Sequence, residues 1–577
     1  MCMRFFKVVS VFFVFVLLLC YGYTTSAQPA PPKNYPVGYF RDPLDVPISL
    51  AGNFGELRPG HYHMGFDIKT GGKENLPVRA AADGYVARIK VEPAGFGQAV
   101  YINHPNGFTT LYAHLNEFAP ALEAWVKAQQ YKLEQWSVLL DLPPGLFPVK
   151  KGDFIAYSGN TGGSQGPHLH FEIRRTSDDV NLNPMLFGLP LQDNTRPVLL
   201  RLAVYDRNKS TYEQSPRIYA LKRSADGSYL LPGVLAAAGS RASFAISAYD
   251  THTGSTNSNG IYEAWLYHNG TVVSGFQMDG ISYNATRYVN AHVDYKTRAG
   301  GGPYLQHLAE LPGYINSIYL KPGGDGVIDL SDGAVHDMKI IVRDGYANAS
   351  ELSFRVQHSG APATAPVLPG KTFYPLMLDV YESSDCEFYL GETCLYDSVH
   401  LRESHTSSAN PAVVSAVHAI GAAYVPLQDS FLVRIKPTKS ISPEQVQHVV
   451  VQRFAGGETD VKKVEWAGQW ASAKFRDFGN FQLVTDETPP VISAIGISEG
   501  ARLGGSARIA FTVSDNLGRF RNFRALLDGK WLRFTNDKGR TFIYRFDEHC
   551  LPGEHELQVT VEDEAGNKAV KVYKFSR

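Results

Sequence analysis

A repeated pattern of strands and turns is the feature of this 577-residue chain that most constrains its fold. The segment Asp193–Val198 reads DNTRPV, and Asp486–Val491 reads DETPPV. Each segment is followed by an alternating strand that ends at an aspartate, Asp250 in the first copy and Asp515 in the second. Each copy closes with two alternating strands around a short turn, which is the pattern of a β-hairpin.

The repeat predicts two immunoglobulin-like β-sandwich domains, at 191–358 and 487–577. Residues 359–486 are also rich in strand-like segments but lack the repeat, so we predict a separate β-domain there. Aromatic residues make up 12% of the chain, with 53 Gly and 34 Pro, and this composition favours strands and turns over helices. The strand-end aspartates are potential calcium ligands, but no dense carboxylate motif accompanies them, so we expect structural roles.

The first 27 residues have the features of a secretory signal peptide. Arg4 and Lys7 precede the apolar run Val8–Leu19, and small residues precede a cleavage point after Ala27. An uncleaved membrane anchor is the alternative, but the apolar run is short for a bilayer. Lipid attachment at Cys20 is a second alternative, and the bulky residue before this cysteine argues against it. We therefore expect Sec-dependent export to the periplasm or cell envelope, with no transmembrane segment after cleavage.

Residues 28–50 form a Pro-rich lead-in, and residues 51–190 form a first domain that holds every cluster of residues with catalytic potential. In this domain an Asn-Gly turn separates two alternating runs over 99–112, which is a strong signal for a hairpin. Residues 120–140 differ because they show helical periodicity and composition. We predict a helical insertion over 119–146 in an otherwise antiparallel β domain, and a mainly β chain.

Charge and cysteine content add few constraints. The formal net charge is −1, so neither nucleic acid nor an anionic membrane surface is an expected partner. Three cysteines remain after cleavage: Cys386, Cys394 and Cys550. Cys386 and Cys394 are close enough in sequence for a disulfide, and two reduced structural cysteines fit equally well. Their spacing shows no companion residues of a zinc knuckle.

Three histidine-containing clusters lie in the first domain: HMGFD (63–67), LYAHL (111–115) and GPHLHFEI (166–173). Histidine and carboxylate suit zinc, and three protein ligands with one water form the arrangement of a hydrolytic zinc site. Residues two apart in a strand project to the same face, so His168 and His170 can point into one cleft. Each cluster alone is more often structural, and their combination is what favours a metal site.

These clusters and the segments around them resemble the lysostaphin-type, or LytM-like, zinc peptidases that act on peptidoglycan. The resemblance covers roughly residues 50–187 and is carried by HMGFDI (63–68), VRAAADGYVARI (78–89), VYINHPNGFTTLYAHL (100–115), VKKGDFIAYSGNTG (149–162) and GPHLHFEI (166–173). It implies one Zn2+ ion in this domain, with His63, Asp67 and His170 as its ligands. It also implies that two further histidines, His114 and His168, assist catalysis.

The function that the resemblance implies is hydrolysis of peptide crosslinks in bacterial peptidoglycan by a zinc-activated water, with histidine general acid and base assistance. The roles of His114 and His168 stay open between general base and stabiliser of the oxyanion or leaving amine. The β-rich tail favours a periplasmic D,D-endopeptidase over an enzyme for pentaglycine bridges. The alternative is a non-catalytic regulator that activates other wall hydrolases, and the five filled positions argue against it.

Several features around the motifs are less specific. His61 lies two residues from His63 and is a candidate cleft residue, whereas His104 beside the hairpin turn is expected to be structural. The predicted helix is extra to the simplest family pattern, so it either edges the substrate groove as a lid or docking element, or is a surface helix. The β-domains suggest spacing, wall binding or docking to an envelope protein. No counterpart is apparent for a tyrosine that aids the transition state in some relatives.

Overall fold

The computed structural model describes residues 35–225, 227–358, 360, 368–539 and 541–577. The predicted signal peptide and the start of the lead-in therefore lie outside the described residues. The chain is mainly β, with 47% strand and 8% helix, as the sequence predicts. Among the described residues, no helix combines the length and apolar character that a bilayer-spanning segment requires.

An antiparallel sheet of ten strands forms the centre of the first domain. Its seven-stranded path runs through Leu50–Gly52, Phe66–Lys69, His168–Arg175, Phe108–Ala113, Gln98–Asn103, Gly84–Val91 and Val138–Asp141. Pro148–Val149 pairs beside Gly84–Val91, and Val180–Leu182 pairs beside His168–Arg175. The tenth strand, Gly280–Ile281, belongs to the following β-domain and pairs with Val180–Leu182. Backbone hydrogen bonds therefore join the first domain to the second.

Two smaller sheets complete the first domain. Their strands are Pro77–Arg79, Phe154–Ser158 and Leu115–Phe118 in one, and Leu57–Arg58 and His61–Tyr62 in the other. The core consists of side chains that alternate along these strands, such as Ile89, Val100 and Phe171, which are fully buried. Most of these buried side chains form one apolar core, which packs against the strands that carry the histidine clusters.

The predicted hairpin around the Asn-Gly turn is confirmed. Gln98–Asn103 pairs antiparallel with Phe108–Ala113, with Val100 opposite Tyr112. Gly107 has φ of 81°, a left-handed conformation that glycine adopts without steric cost. The turn therefore fixes the register of the strand that leads to His114.

The predicted helix is shorter than its periodicity indicated. It spans Pro120–Leu133, begins with proline in its first turn, and ends at Glu134, whose φ is 50°. The prediction of helix to residue 140 is wrong, because Val138–Asp141 forms a strand on the edge of Gly84–Val91. An exposed strand edge offers a full row of backbone hydrogen bonds, and this gain outweighs local helix propensity.

The second domain consists of two sheets. One contains Arg217–Ala220, Val198–Asp206, Arg241–Tyr249, Gln306–His307 and Ile328–Asp329. The other contains Tyr229–Ala237, Ala349–His358, His336–Arg343, Glu263–His268, Thr271–Gln277 and Tyr319–Leu320. The predicted closing hairpin is present, since His336–Arg343 and Ala349–His358 pair antiparallel.

Residues 368–485 form two five-stranded sheets and a short pair. The first sheet contains Asp379–Glu382, Cys386–Leu390, Pro426–Ile435, Trp470–Asp477 and Glu465–Ala467. The second contains Glu403–Thr406, Val417–Ile420, Gly479–Thr485, Val449–Ala455 and Glu458–Lys463, and the short pair joins Lys371–Phe373 to Val399–Leu401. One continuous apolar core includes residues of this region and of the second domain, such as Phe431 and Phe244.

The C-terminal region has two sheets around its own core. One contains Val491–Ile495, Arg508–Ser514 and Thr541–Arg545, and the other Ala501–Arg502, Lys568–Ser576, Glu554–Asp563, Phe520–Leu527 and Lys530–Trp531. The second predicted hairpin is present between Glu554–Asp563 and Lys568–Ser576. Short helices lie elsewhere along the chain, at Pro184–Phe187, Thr211–Glu213, Tyr283–Tyr288, Val289–His292, Tyr295–Ala299, Pro443–Val446 and Asp537–Gly539.

The three described cysteines are buried free thiols. The disulfide alternative for Cys386 and Cys394 is therefore wrong. Cys394 lies in the turn after the strand Cys386–Leu390, where its Sγ accepts a hydrogen bond from the Gly391 amide at 3.2 Å. This contact directs the Cys394 thiol towards the backbone of its own turn. Both cysteines pack in the core as small apolar side chains.

Candidate metal centre

Strand pairing in the first domain brings the predicted metal ligands together. His170 lies directly opposite Asp67 on the neighbouring strand and opposite Ala113 on its other side. His63 precedes the strand of Asp67 by a short turn. The three ligands are all buried, at 5–6% exposure, although they come from segments more than 100 residues apart in the sequence.

The donor atoms of these side chains form a tight triangle. His63 Nε2 is 2.9 Å from Asp67 Oδ1 and 3.1 Å from His170 Nδ1. His170 Nδ1 is also 2.9 Å from Asp67 Oδ1. One carboxylate oxygen and two ring nitrogens thus face one another, as ligands of a single metal ion would.

The outer nitrogens of both imidazoles have acceptors, and this fixes which nitrogens are free. His63 Nδ1 lies 2.7 Å from the carbonyl oxygen of Asn53, which can only accept, so Nδ1 carries the proton. His170 Nε2 lies 2.9 Å from Glu172 Oε1 and donates to this carboxylate. The unprotonated nitrogens of the neutral rings therefore point at each other and at Asp67. Three electron-rich atoms in contact fit a bound cation, with the outer hydrogen bonds that metal-ligating histidines usually make.

The same crowding shifts the pKa values of the ligands. Burial disfavours the charged form of Asp67, but the three adjacent histidines outweigh it and hold the pKa well below its usual value. Burial also lowers the pKa of His170, yet hydrogen bonds to Asp67 and Glu172 raise it to about 9.

Arg58 is a site residue that the sequence did not reveal. Its Nη2 donates to Asp67 Oδ2 at 2.9 Å, and its Nε lies 3.1 Å from Glu56 Oε1. The guanidinium thus binds the carboxylate oxygen that does not face the histidines. No motif marks an arginine nine residues before its partner, because a separate two-stranded ribbon, Leu57–Arg58 with His61–Tyr62, brings it there.

The two predicted catalytic histidines border the triangle. His114 Nδ1 donates to the carbonyl of Thr161 at 2.9 Å, and His168 Nδ1 donates to the carbonyl of Gly166 at 2.8 Å. The Nε2 atom of each ring is therefore unprotonated in the neutral form. His168 Nε2 is 3.3 Å from Asp67 Oδ1, and the rings of His114 and His168 are 4.7 Å apart.

His114 occupies a strained position. Its φ is 60°, a left-handed conformation that is uncommon for residues with a side chain and that clusters at functional sites. Its pKa falls to about 3, first because the ring is buried and then because His170 and His168 lie beside it. The ring is therefore neutral near pH 7, with a free nitrogen directed at the site.

A groove of about 670 Å3 opens above these residues. All five predicted residues line it, as do Arg58, His61 and Tyr283. Tyr283 comes from the second domain and was not anticipated; its ring lies 5.9 Å from Phe96 and beneath the guanidinium of Arg174. Neither the helix Pro120–Leu133 nor His104 is part of the lining. His104 is buried and bonds to Asp83 and Thr110, which agrees with a structural role.

The helix instead contacts the C-terminal region of the same chain. Lys127 forms an ion pair with Asp547 at 2.8 Å, and the ring of Tyr131 stacks on His549 at 3.8 Å. The described residues thus support docking rather than a lid for this helix. The C-terminal region also contacts the loop beside the groove, where Asp537 accepts a hydrogen bond from the Gly162 amide at 2.7 Å.

A second group of possible metal ligands lies far along the chain. Cys386, Glu403 and His418 have donor atoms within 4.8 Å of one another. Glu403 Oε1 lies 2.8 Å from His418 Nδ1. No motif marks this group, because its members come from three different strands.

Comparison with known proteins finds family matches over two regions of the chain. The sequence model described as peptidase family M23 matches residues 61–131 and 147–184, and one described as a Zu5-like domain matches 372–486. The helix lies almost wholly inside the first matched segment, and the unmatched residues are 132–146. An insertion formed by the helix is therefore not confirmed.

Individual relatives match over the same region. The DD-carboxypeptidase/endopeptidase Mpg of Neisseria meningitidis is 35% identical over 140 residues, which cover 24% of this chain and 26% of that protein. The peptidoglycan DD-endopeptidase ShyA of Vibrio cholerae is 28% identical, over 26% of this chain and 32% of that protein. The cell division protein DipM of Caulobacter vibrioides is 29% identical, over 22% of this chain and 16% of that protein. The match thus spans about a quarter of the first of these relatives.

Among solved structures, the catalytic domain of lysostaphin from Staphylococcus simulans is 22% identical and covers 24% of this chain and 92% of that chain, with a TM-score of 0.19. A score this low carries no weight for the whole chain, and the family match rests on sequence. All five predicted site residues fall inside the two matched segments. The chain therefore contains a peptidase family M23 domain.

Proposed function

We propose that this chain is an exported zinc metalloendopeptidase that hydrolyses peptide crosslinks of bacterial peptidoglycan. One observation carries the proposal: His63 Nε2, His170 Nδ1 and a carboxylate oxygen of Asp67 converge within 3.1 Å, beside two further histidines whose Nδ1 atoms are bound to backbone carbonyls. Two imidazoles and a carboxylate form a donor set that hydrolytic zinc sites use. The names of the Neisseria and Vibrio relatives support a D,D-endopeptidase.

In this proposal, His63, Asp67 and His170 hold one zinc ion. Zinc would polarise the scissile carbonyl and lower the pKa of a bound water. Asn53 and Glu172 hold the outer nitrogens of the two histidine ligands, which keeps their rings turned towards the site. Arg58 balances part of the charge of Asp67 and keeps its second oxygen occupied.

His114 and His168 move the protons. Each has its Nδ1–H bound to a backbone carbonyl, which leaves Nε2 of His114 available to the groove and directs Nε2 of His168 to within 3.3 Å of Asp67 Oδ1. One ring accepts the proton of the attacking water, and the other stabilises the oxyanion or protonates the departing amine. The fixed Nδ1 contacts keep both rings in place during this transfer, which reduces the reorganisation that the reaction requires.

The substrate approaches through the groove, which is lined by the M23 domain and by Tyr283 of the second domain. We propose that this following domain positions the peptide, and that the β-domains space the site from the envelope or dock to an envelope protein. The proposed domain limits are those of the sequence, 51–190, 191–358, 359–486 and 487–577, preceded by a signal peptide that directs export.

The test is digestion of purified peptidoglycan sacculi by the mature protein, with mass spectrometry of the released fragments. We expect loss of crosslinked dimers, and no loss with His114→Ala or after treatment with a zinc chelator. His358→Ala, a histidine substitution outside the candidate site, is the matched control and should retain activity.

Two results separate this proposal from its alternative. A His114→Ala protein that still binds zinc but leaves dimers intact would assign His114 to the reaction. Untouched sacculi from folded, zinc-loaded wild-type protein would favour a non-catalytic regulator of other wall hydrolases.

A further inference from the structure

Three aspartates meet at one end of the second domain. Asp193 precedes its first strand, Asp250 follows the strand Arg241–Tyr249, and Asp344 follows His336–Arg343 of the opposite sheet. They are buried, with 8%, 3% and 3% exposure, and one carboxylate oxygen of each lies within 4.8 Å of the others. Three carboxylates are therefore enclosed where the two sheets meet the link from the M23 domain.

The charge of this cluster is not balanced by basic side chains. In the described part of the chain, none of the three carboxylates has a Lys or Arg within ion-pair distance. Neutral donors contact them instead: Thr195 N donates to Asp193 at 2.8 Å, Asn348 Nδ2 donates to Asp344 at 2.7 Å, and the backbone of Thr251 donates to Asp250. Burial and the neighbouring carboxylates of Asp344 and Asp193 raise the pKa of Asp250 to about 8. Such burial is costly unless a cation is present.

Two buried oxygen atoms beside the cluster have no hydrogen-bond partner. One is Asp250 Oδ1, and the other is the amide oxygen of Asn259, a residue with only 6% exposure. Asp250 and Asn259 form an antiparallel bridge with two backbone hydrogen bonds, of 3.0 and 2.8 Å. Residues directly opposite in such a bridge place their side chains on the same face. An unpartnered neutral oxygen thus lies next to the carboxylates, which points to a bound cation.

The internal repeat reproduces this arrangement in the C-terminal region. Three aspartates occupy the corresponding strand ends: Asp486, Asp515 and Asp563. Burial is the largest cause of the raised pKa of Asp515, and the charges of Asp486 and Asp563 raise it further. Asn567 Nδ2 bridges the Asp486 carbonyl and Asp563, both at 2.8 Å, as Asn348 bridges Asp193 and Asp344. Asp515 Oδ1 is again buried without a partner. The same set of acidic residues therefore belongs to the repeated unit.

We propose that Asp193, Asp250 and Asp344, together with the amide oxygen of Asn259, bind a calcium ion. All of the donor atoms are oxygens, which are the ligands of hard cations. Calcium accepts six to eight such ligands in flexible geometry, whereas magnesium requires a near-ideal octahedron and retains several waters. The absence of nitrogen and sulfur donors from this set disfavours zinc, the ion proposed for the M23 domain.

Calcium at this position would also stabilise the junction with the M23 domain. The loop between Asp250 and Asn259 continues to Gly260, whose backbone accepts from and donates to the side chain of Asn53, both at 2.8 Å. The carbonyl of Asn53 in turn accepts the hydrogen bond from His63. In this proposal Asp250 and Asn259, at the two ends of the loop, bind calcium. The next residue, Gly260, holds Asn53, which orients the proposed zinc ligand His63.

The experiment is a calcium titration of the zinc-loaded, full-length mature protein by isothermal calorimetry, with thermal melts of the same samples. We expect calcium to bind and to raise the melting temperature of the wild type. Asp250→Asn should have one calcium site fewer than the wild type, or one site weakened at least about tenfold because a ligand charge is lost. Asp337→Asn, an equal charge change at an exposed position of the same domain, should bind as the wild type does.

The melting temperature without calcium distinguishes loss of calcium binding from misfolding. Without calcium, Asp250→Asn should melt no lower than the wild type, because the substitution removes repulsion among the carboxylates. If this variant does not fold, Asp193→Asn serves the same purpose. The proposal is overturned if calcium gives neither heat nor a shift in melting temperature, if Asp250→Asn keeps every wild-type site at full affinity, or if Mg2+ binds as tightly as Ca2+. These readouts do not depend on peptidase activity.

Discussion

Glu172 accepts a hydrogen bond from His170 at 2.9 Å, on the ring nitrogen opposite to the one that faces Asp67. The other oxygen of Glu172 accepts from Arg174 at 2.7 Å. Glu172 is completely buried, and Arg174 and His170 lower its pKa against the effect of burial. A charged carboxylate therefore fixes the orientation of the predicted metal ligand His170, from the side of the ring that faces away from Asp67.

Replacing Glu172 with glutamine should weaken zinc binding by about 10- to 100-fold, because the neutral amide no longer orients and polarises His170 as a carboxylate does. Competition with a chromogenic chelator measures this affinity. Glu117→Gln, the same change at an exposed position of the same domain, should bind zinc normally. Unchanged zinc affinity in Glu172→Gln, in a folded protein, would show that the contact has no role in metal binding.

Removal of the metal should lower the stability of the M23 domain. An ion present at 1,000 times its dissociation constant adds about 4 kcal/mol to the free energy of unfolding. We expect a chelator to lower the melting temperature and zinc to restore it, as measured by differential scanning calorimetry. His63→Ala should melt at the same temperature with and without the chelator. A chelator effect that survives this substitution would place the stabilising ion elsewhere, for instance at the acidic cluster.

The C-terminal region should affect catalysis through the loop that holds His114 and His168, the two histidines proposed to be catalytic. Asp537 binds the Gly162 amide at 2.7 Å, and Lys538 Nζ donates to the carbonyl of Ser164 at 2.6 Å. Thr161, in this loop, holds His114. The double substitution Asp537→Ala and Lys538→Ala should therefore lower turnover by about tenfold through looser positioning, with zinc content unchanged.

Steady-state cleavage of a crosslinked muropeptide, with zinc analysis of the same samples, tests this expectation. Lys530→Ala, at an exposed position of the same region, is the control. Higher turnover in the double variant would instead mean that the docked C-terminal region restricts access to the groove.

Asp42 should make stability depend on pH. Burial raises its pKa from 3.8 to about 6, so ionisation costs more in the folded state than in the unfolded chain. The protein therefore loses stability as the pH rises from about 4 to 6. Asp42→Asn should raise the free energy of unfolding by about 1–2 kcal/mol at pH 8 and have little effect below pH 4.

Urea unfolding at pH 4 and pH 8 measures the difference. Asp45→Asn is a control with the opposite sign, because hydrogen bonds from Arg41 and Arg79 lower the pKa of Asp45. That substitution should destabilise at pH 8. Equal effects of Asp42→Asn at both pH values would contradict the assignment of the shift to Asp42.

Much of the M23 domain could be predicted because its signals are local. The Asn-Gly turn and the alternation on either side predict the hairpin that leads to His114, and the structure contains this hairpin. The helix was predicted too long because periodicity continues past Leu133, while the strand Val138–Asp141 depends on an edge formed by a distant segment. The possible disulfide also depended on side-chain direction, which spacing does not reveal.

The sequence by itself determined the residue types, the repeat and the alternation of strands, because these follow from chemistry and periodicity along the chain. The resemblance of its motifs to the LytM-like peptidases, rather than periodicity, implied the five histidine and aspartate residues of the candidate site. Only the tertiary structure decided what surrounds them: Arg58 on Asp67, Tyr283 in the groove, and Asp537 on the neighbouring loop. These contacts join segments that are distant in sequence and folded by separate sets of strands. The pairing of sheets and domains, which no local pattern encodes, brings them together.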